Sequence, residues 1–277
     1  MNILNNPDLF NIQGKVVLIT GAFGLFGKKL CDAFLNQGAR VIAAGHNTNK
    51  VDSISSEFAV KYDSNNFLVT SLELTSTISI EECISNAINR FGRIDILINN
   101  ASIDAKFDAN NLDEVKELRF ENYPIDKIKN SVEVNLIGTI EITQKVCAVM
   151  LKQNEGNIIN VGSIYSIVSP NQNLYKFKDK RLYKPVDYVA SKSFIPNFTR
   201  YLASFYAENN IRCNAIAPHG IYNEHDESFI ENFKKYSPIG RMCDIDEIEG
   251  AFIFLASEAS SYMTGSTLVL DGGWSSI

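Results

Sequence analysis

The sequence predicts an α/β fold, with one doubly wound domain built on a seven-stranded parallel sheet flanked by helices. Three observations carry that expectation. Short β-branched runs alternate with helical periods along all 277 residues, which is the pattern of repeated βα units. No linker-like stretch or internal repeat divides them. The first strand also ends abruptly in a glycine turn that opens a helix.

Residues 15–20 form that first strand, and Gly21, Gly24 and Gly27 follow with Phe23, Leu25 and Phe26 between them. Residues 28–36 continue with helical periodicity until Gln37 and Gly38 stop it. A strand, glycine turn and helix present backbone N–H groups and a helix N-terminus to a pyrophosphate. Glycine allows positive φ and close approach of the phosphates. A structural turn is the competing reading, and the placement between a first strand and a helix favours a dinucleotide. Residues 40–45 are the second strand. NAD sites place a carboxylate after it for the adenine-ribose hydroxyls, but here His46 and Asn47 follow, with Lys50 nearby. A neutral or basic turn tolerates a 2′-phosphate better, so NADP(H) is favoured over NAD(H). A plain loop serving either cofactor is the alternative.

Residues 53–62 read as a helix and 66–72 as the third strand, closed by Glu73, Leu74 and Thr75 at the adenine border. Residues 80–91 are an amphipathic helix, and 96–98 form an apolar run typical of a central parallel strand. Asn99, Asn100, Ala101 and Ser102 come next, where side-chain amides either pin structure or touch a cofactor. Residues 103–130 are polar and irregular, an excursion at the carboxyl ends of the strands. A helix is expected over 131–153, and Asn135 inside it is unfavourable by propensity and calls for an explanation. The fifth strand, 156–163, ends at Ser163. Residues 166–185 are rich in Lys, Asn and Tyr and show no period. The sixth strand, 211–217, leads to Pro218, His219 and Gly220; a helix over 246–256 and a strand over 266–273 close the chain.

Tyr188 and Lys192 lie one helical turn apart on one face. An ammonium beside a phenol favours the phenolate, which makes tyrosine a usable acid/base for an alcohol or ketone oxygen. Alone, the pair is an ordinary half-exposed helix face, so the chemical reading depends on a cofactor site and proton partners elsewhere.

Composition narrows the partners. Lys+Arg of 26 against Asp+Glu of 32 leaves a net charge of −6, which argues against nucleic acid and anionic membrane surfaces. The five cysteines form no Cys-x-x-Cys pair and read as reduced core thiols of a cytoplasmic protein. Residues 1–13 carry no basic leader or apolar block, and no apolar run approaches the ~18 residues of a membrane span. His219, Glu224, His225 and Asp226 cluster in sequence, but their spacing matches no metal motif and no metal is expected.

Several of these features occur together and in order. Thr20-Gly21, Asn99-Asn100-Ala101, Asn135, Ser163, Tyr188 with Lys192, Asn214 with Pro218, and the closing run 265–273 resemble the short-chain dehydrogenase/reductase family across residues 10–274. The resemblance implies one NAD(P)-binding Rossmann domain over 1–277, with a substrate-side insertion near 170–185 and a lid near 219–240. It implies hydride transfer between nicotinamide and a carbonyl or secondary alcohol. Tyr188 would be the general acid/base, and Lys192 would lower its pKa and hold the nicotinamide-ribose hydroxyls. Ser163 would hydrogen-bond the substrate oxygen, and Asn135 would anchor a water linking Lys192 to solvent. Cofactor contacts would come from Gly21, Phe23, Gly24, Leu25, Phe26, Gly27, His46, Asn47, Glu73, Leu74, Asn100, Ala101, Ser102, Tyr188, Lys192, Pro218, Gly220 and Ile221. A homotetramer or homodimer would assemble through the long helices and the C-terminal segment.

The chain departs from the family pattern in places. The middle glycine is Gly24, one residue earlier than usual; Ser102 stands where glycine is usual; His219 splits the Pro-Gly pair; and Asn223 replaces a hydroxyl residue. Pro196 lies inside the Tyr188 helix, where it removes the bond to the Lys192 carbonyl and predicts a kink. Ser163 and Tyr188 are 25 positions apart, longer than is usual. The extra residues, 170–185, include Tyr175, Lys176, Lys178, Lys180, Arg181 and Tyr183. Such a flap suits a sugar-like, polar or anionic small-molecule substrate, and a solvated surface loop is the alternative. A long loop with this glycine spacing is similar to the bacterial flagellin-modification (nonulosonic-acid pathway) members. Two other functions stand beside this one: a 3-oxoacyl-carrier reductase, and a non-catalytic dinucleotide-binding regulatory module, which would have no need of Asn135, Ser163, Tyr188 and Lys192 together.

Overall fold

Val16, Val17, Leu18 and Ile19 have no solvent-accessible surface, as a central strand covered by helices on both faces requires. In the computed structural model, which describes residues 8–104, 116–177 and 180–277, they form β1 (Val16–Thr20). β1 pairs with β2 (Arg40–Gly45) on one side, and β3 (Phe67–Ser71) lies beyond β2. On its other side stand β4 (Ile96–Asn99) and then β5 (Gly156–Val161). Two short strands, β6 (Lys176–Phe177) and β7 (Lys180–Arg181), make a separate antiparallel hairpin. β8 (Ile211–Pro218) and β9 (Thr267–Leu270) complete the main sheet, which is parallel throughout in the order β3-β2-β1-β4-β5-β8-β9. The chain reverses its direction of winding between β1 and β4, and in such sheets the crevice beyond the strand ends at that point takes the ligand.

Helices cover both faces. α1 (Leu25–Asn36) and α2 (Val51–Lys61) bury Leu30, Cys31, Phe34 and Phe58 against one face. α3 (Thr77–Phe91) buries Ile80 and Cys83 against the other. Ser76 caps α3 by accepting the Ser79 N–H at 3.3 Å, and Gly92, with φ of 75°, ends it.

The helix expected at 131–153 begins earlier. α4 (Ile125–Val132) runs through a π turn, Glu133–Gly138, into α5 (Thr139–Gln153). The segment 103–130 is therefore not irregular at its end; Pro124, extended at the N-cap, sets the start. Residues 105–115 of that segment lie outside the described residues. The continuous helix Ile125–Gln153 is long and apolar enough to cross a membrane by length and composition alone, although no unbroken apolar run spans it. Its apolar side is occupied, because Ile142, Val146, Cys147 and Met150 pack into the core beneath the sheet.

Pro196 has the effect its position predicts. The Tyr188 helix is split at Phe194 into α6 (Val186–Ser193) and α7 (Ile195–Phe205). After β8 come α8 (Glu227–Tyr236) and α9 (Glu249–Ala256), and α9 adds Phe252 and Leu255 to the α1 side of the core.

Candidate active site

The glycine turn opens a cleft of about 630 Å³ beyond the carboxyl ends of β1 to β4. Gly21, Phe23, Gly24, Leu25, Phe26, Gly27, His46, Asn47, Glu73, Leu74, Asn100, Ala101 and Ser102 line it. Gly24 is the N-cap of α1, with no side-chain cap and no acidic residue in the first turn. The first N–H groups of the helix are thereby left for an anion. Close approach explains two glycines. A Cβ on Gly21, whose φ is +66°, would lie 2.7 Å from Ala101 Cα, and one on Gly27 would lie 2.3 Å from the Gly21 carbonyl oxygen. Asn100 pins the turn by donating from Nδ2 to the Thr20 carbonyl at 2.9 Å, while Thr20 Oγ1 accepts the Asn100 N–H at 3.0 Å. An open helix N-terminus, a glycine cradle and a long cleft fit a dinucleotide.

Sequence reasoning missed other parts of this wall. Gly45 lines it and sits so close to the Phe23 ring that a Cβ would fall 2.5 Å away. Ile103 and Val134 also line it, and Asn135 explains Ile103. The Asn135 side chain sits in the π turn, accepts the Ile103 N–H at 2.6 Å, and donates to the Ile103 carbonyl at 3.0 Å and to Ser191 Oγ at 2.9 Å. These bonds account for an amide inside a helix, and π turns mark functional sites. The same turn presses on the end of β3, since a Cβ on Gly138 would lie 2.7 Å from the Leu74 carbonyl oxygen.

A second cleft, of about 270 Å³, brings Ser163 and Tyr188 together with Pro218, Gly220 and Ile221. Ser163 ends the β5 connection, and its Oγ accepts the Tyr165 N–H at 3.2 Å. Lys192 is buried and donates to the Val161 carbonyl at 2.8 Å. Burial pushes its ammonium down to about 8. Burial raises the Tyr188 phenol, Asp104 adds to the rise, and a hydrogen bond with Ser163 opposes it. The lowering of Tyr188 expected from Lys192 finds no counterpart among these influences. In this structure the ammonium is engaged by the end of β5, and shielding from water dominates at the phenol.

The insertion is a folded wall. Leu174 and Leu182 are 1% and 4% exposed, the β6–β7 hairpin closes it, and Asn232 of α8 donates to the Lys176 carbonyl at 2.8 Å. Its Tyr175 and Lys184 line the second cleft, and the hydroxyls of Tyr165 and Tyr175 lie 3.1 Å apart. The cations singled out in the sequence do not make this wall: Lys176 and Arg181 are exposed, and Arg181 lies over the Tyr183 ring at 5.4 Å. Lys178 and the side chain of Lys180 lie outside what is described. Lys184, which carried no sequence signal, lines the cleft and pairs with both Asp104 oxygens at 2.7 Å.

His219 was missed as a component of this wall. It is 8% exposed and ringed by Trp274, Phe233 and Tyr165 at centroid distances of 4.4, 5.1 and 5.5 Å. Its Nε2 has no hydrogen-bond partner, and burial pushes the ring down to about 4. His225 accepts the Asn223 N–H on Nδ1 and stacks on Phe229 at 4.9 Å, while Asp226 caps α8.

Sheet order and clefts define the class as Rossmann-type α/β proteins. A family model described as enoyl-(acyl carrier protein) reductase matches residues 24–275, and the chain belongs to the short-chain dehydrogenase/reductase family of oxidoreductases. It is 33% identical to the 3-oxoacyl-(acyl-carrier-protein) reductase FabG of Thermotoga maritima, covering 95% of this chain and 98% of that one. It is 28% identical to the post-translational flagellin modification protein A of Campylobacter coli, covering 95% and 99%. Among solved structures, a gluconate 5-dehydrogenase from Burkholderia cenocepacia in complex with NADP and tartrate superposes with a TM-score of 0.83 at 26% identity, covering 98% of each chain. A short chain dehydrogenase from Leptospira borgpetersenii with bound NAD+ does so at 0.79 and 32%, covering 95% of this chain and 93% of that one.

Proposed function

We propose that this protein interconverts a carbonyl and a secondary alcohol on a small polar, sugar-like or carboxylate-bearing substrate, using NADP(H), with Tyr188 exchanging the proton. The observation that carries this reading is the joint placement of Ser163 and Tyr188 in one small cleft, with Lys192 one turn beyond Tyr188. Charge develops on the carbonyl oxygen during reduction, so two converging hydroxyl donors stabilise it. A phenol raised by burial stays protonated near neutral pH, the form needed to give a proton to that oxygen.

Bound nicotinamide would supply or accept the hydride. The glycine turn and the α1 N-terminus would hold its pyrophosphate, Glu73 and Leu74 would border the adenine, and Pro218, Gly220 and Ile221 would border the nicotinamide. Lys192 would hold the ribose hydroxyls, and Asn135 would anchor the water that connects it to solvent. NADP(H) is preferred because His46, Asn47 and Lys50 line the cleft where β2 ends and bring no carboxylate there. The related structures hold NADP in one case and NAD+ in the other.

Polar substrates are favoured by Tyr165, Tyr175, Lys184 and His219 around the reacting groups, and the related dehydrogenase carries tartrate. The insertion near 170–185 would form the substrate wall and residues 219–240 the lid, within one domain. A homotetramer or homodimer is supported by the exposed Ile137, Leu151, Tyr201 and Phe205 on the long helices; light scattering distinguishes the two. The protein would work in the cytoplasm.

The test is Tyr188→Phe, assayed on a panel of keto sugars and keto acids. Turnover should fall by about 10³-fold, with NADPH binding unchanged by fluorescence. Undiminished turnover would sink the assignment. A β-keto thioester in the same panel reads the FabG-like alternative, and its reduction in preference to every keto sugar would establish that reading instead.

A further inference from the structure

The insertion reaches the centre of the site through one charge pair. Lys184 Nζ lies 4.0 Å from the centroid of the Tyr188 ring and donates to both oxygens of Asp104. The Lys184 side chain is 12% exposed and that of Asp104 49%, so the ammonium is the shielded member and the carboxylate the wetter one. The insertion holds the lysine from behind, because Gln172 Oε1 accepts the Lys184 N–H at 2.9 Å. Asp104 follows directly on Ile103, whose backbone Asn135 clamps on both sides. Ser102 and Ile103 line the dinucleotide cleft, whereas Asp104 and Lys184 line the substrate cleft. The pair thus spans the boundary between the two.

We propose that Lys184 and Asp104 form a positioning pair that sets the proton affinity of Tyr188 from the substrate side and ties the insertion to the cofactor-side segment. The proposal rests on Tyr188 being the proton carrier. An ammonium over an aromatic face attracts the ring, and attracts it more strongly as phenolate. The carboxylate acts in the opposite sense, because a nearby negative charge disfavours the phenolate. The two act on the ring in opposite senses, so removing either one should shift the proton equilibrium in its own direction.

Few other charges compete among the described residues. From its own helix Tyr188 is faced by Lys192, whose ammonium is turned to Val161. The phenols of Tyr165 and Tyr175, from the β5 end and the insertion, are held protonated by burial. His219 and His225, from the β8 end and the lid, are pushed toward the neutral form by burial. Asp104 and Lys184 are therefore the opposed charges on the substrate side.

The test uses Lys184→Met, Asp104→Asn and the double variant in the full chain with saturating NADP+. Phenolate difference absorbance, with Tyr188→Phe as reference, reads the titration of Tyr188 directly. The pH profile of kcat/KM on the best panel substrate reads it through turnover. Lys184→Met should move both to higher pH by about one unit, and Asp104→Asn should move both to lower pH by a similar amount. The double variant should return close to the parent, and Lys184→Arg should retain most of the parent profile. Single variants that both leave the titration in place, or that both move it the same way, would overturn the proposal. If Lys184→Met fails to fold, Asp104→Asn alone decides, because only a shift to lower pH agrees with the pair. A Tyr188→Phe enzyme with full turnover would instead defeat the proton-carrier reading, while the absorbance titration would still report on the pair.

Discussion

The two clefts are built by different means. The dinucleotide side turns on its backbone. Its turn depends on Gly21 and Gly27 letting main-chain atoms approach, and its helix end is left open by the absence of a capping side chain. The substrate side is made of side chains delivered by separate elements: Ser163 from β5, Tyr188 from α6, Lys184 from the insertion, His219 from the β8 end and Phe233 from α8. A backbone cradle tolerates many neighbours but no Cβ in the wrong place. A side-chain cleft tolerates substitution one group at a time, and each change alters charge or shape locally.

Three substitutions press on that difference. Gly27→Val forces a side chain against the Gly21 carbonyl, 2.3 Å from the first added atom. NADPH binding should weaken by more than about 100-fold, equivalent to roughly 2.7 kcal/mol, while the stacking of Trp274 on Phe233 keeps its near-ultraviolet circular dichroism. Retained affinity would show that the turn can shift and that close backbone approach is not what makes this side.

His219 breaks the other side by pH. Its unfolded value is the ordinary 6.5 and its folded value about 4. Below pH 6.5 the unfolded chain takes up a proton that the folded one refuses until about pH 4. Stability should therefore fall as pH drops through that window, by about 2 kcal/mol at pH 5. His219→Phe should flatten urea midpoints measured between pH 7 and pH 5; an unchanged slope would place the acid sensitivity elsewhere.

The smallest effect expected is at the end of β2. His46→Asp places a carboxylate where the adenine ribose would lie and should move the NADPH-to-NADH preference about tenfold toward NADH, roughly 1.4 kcal/mol. Paired fluorescence titrations measure it, and a preference unmoved by the carboxylate would mean that His46, which is exposed, does not face the ribose.

Much of the dinucleotide side was legible in the sequence because its signals are local. The glycine turn follows its strand directly, and each apolar run reads as a strand from its own residues. Pro196 predicted the break at Phe194 for the same reason, since a missing N–H acts within one turn of helix. Less of the substrate side was legible. The insertion had no period, yet Leu182 buries itself beside Tyr123 and Leu118, and Leu174 beside Ile164, Tyr165 and Phe233. The start of the long helix at Ile125 was hidden because its first turns carry mainly polar residues.

By itself, then, the sequence determined the succession of the seven strands of the main sheet, the glycine cradle, and the spacing that sets Tyr188 and Lys192 one turn apart. Those features depend on backbone preferences and periods that a few neighbouring residues specify. Only the tertiary structure decided where the Lys192 ammonium goes, which aromatic rings enclose His219, and that Lys184 meets Asp104 from 80 positions away. Such contacts are settled by the packing of whole elements, because burial and charge act across space on residues that carry no mark of one another along the chain.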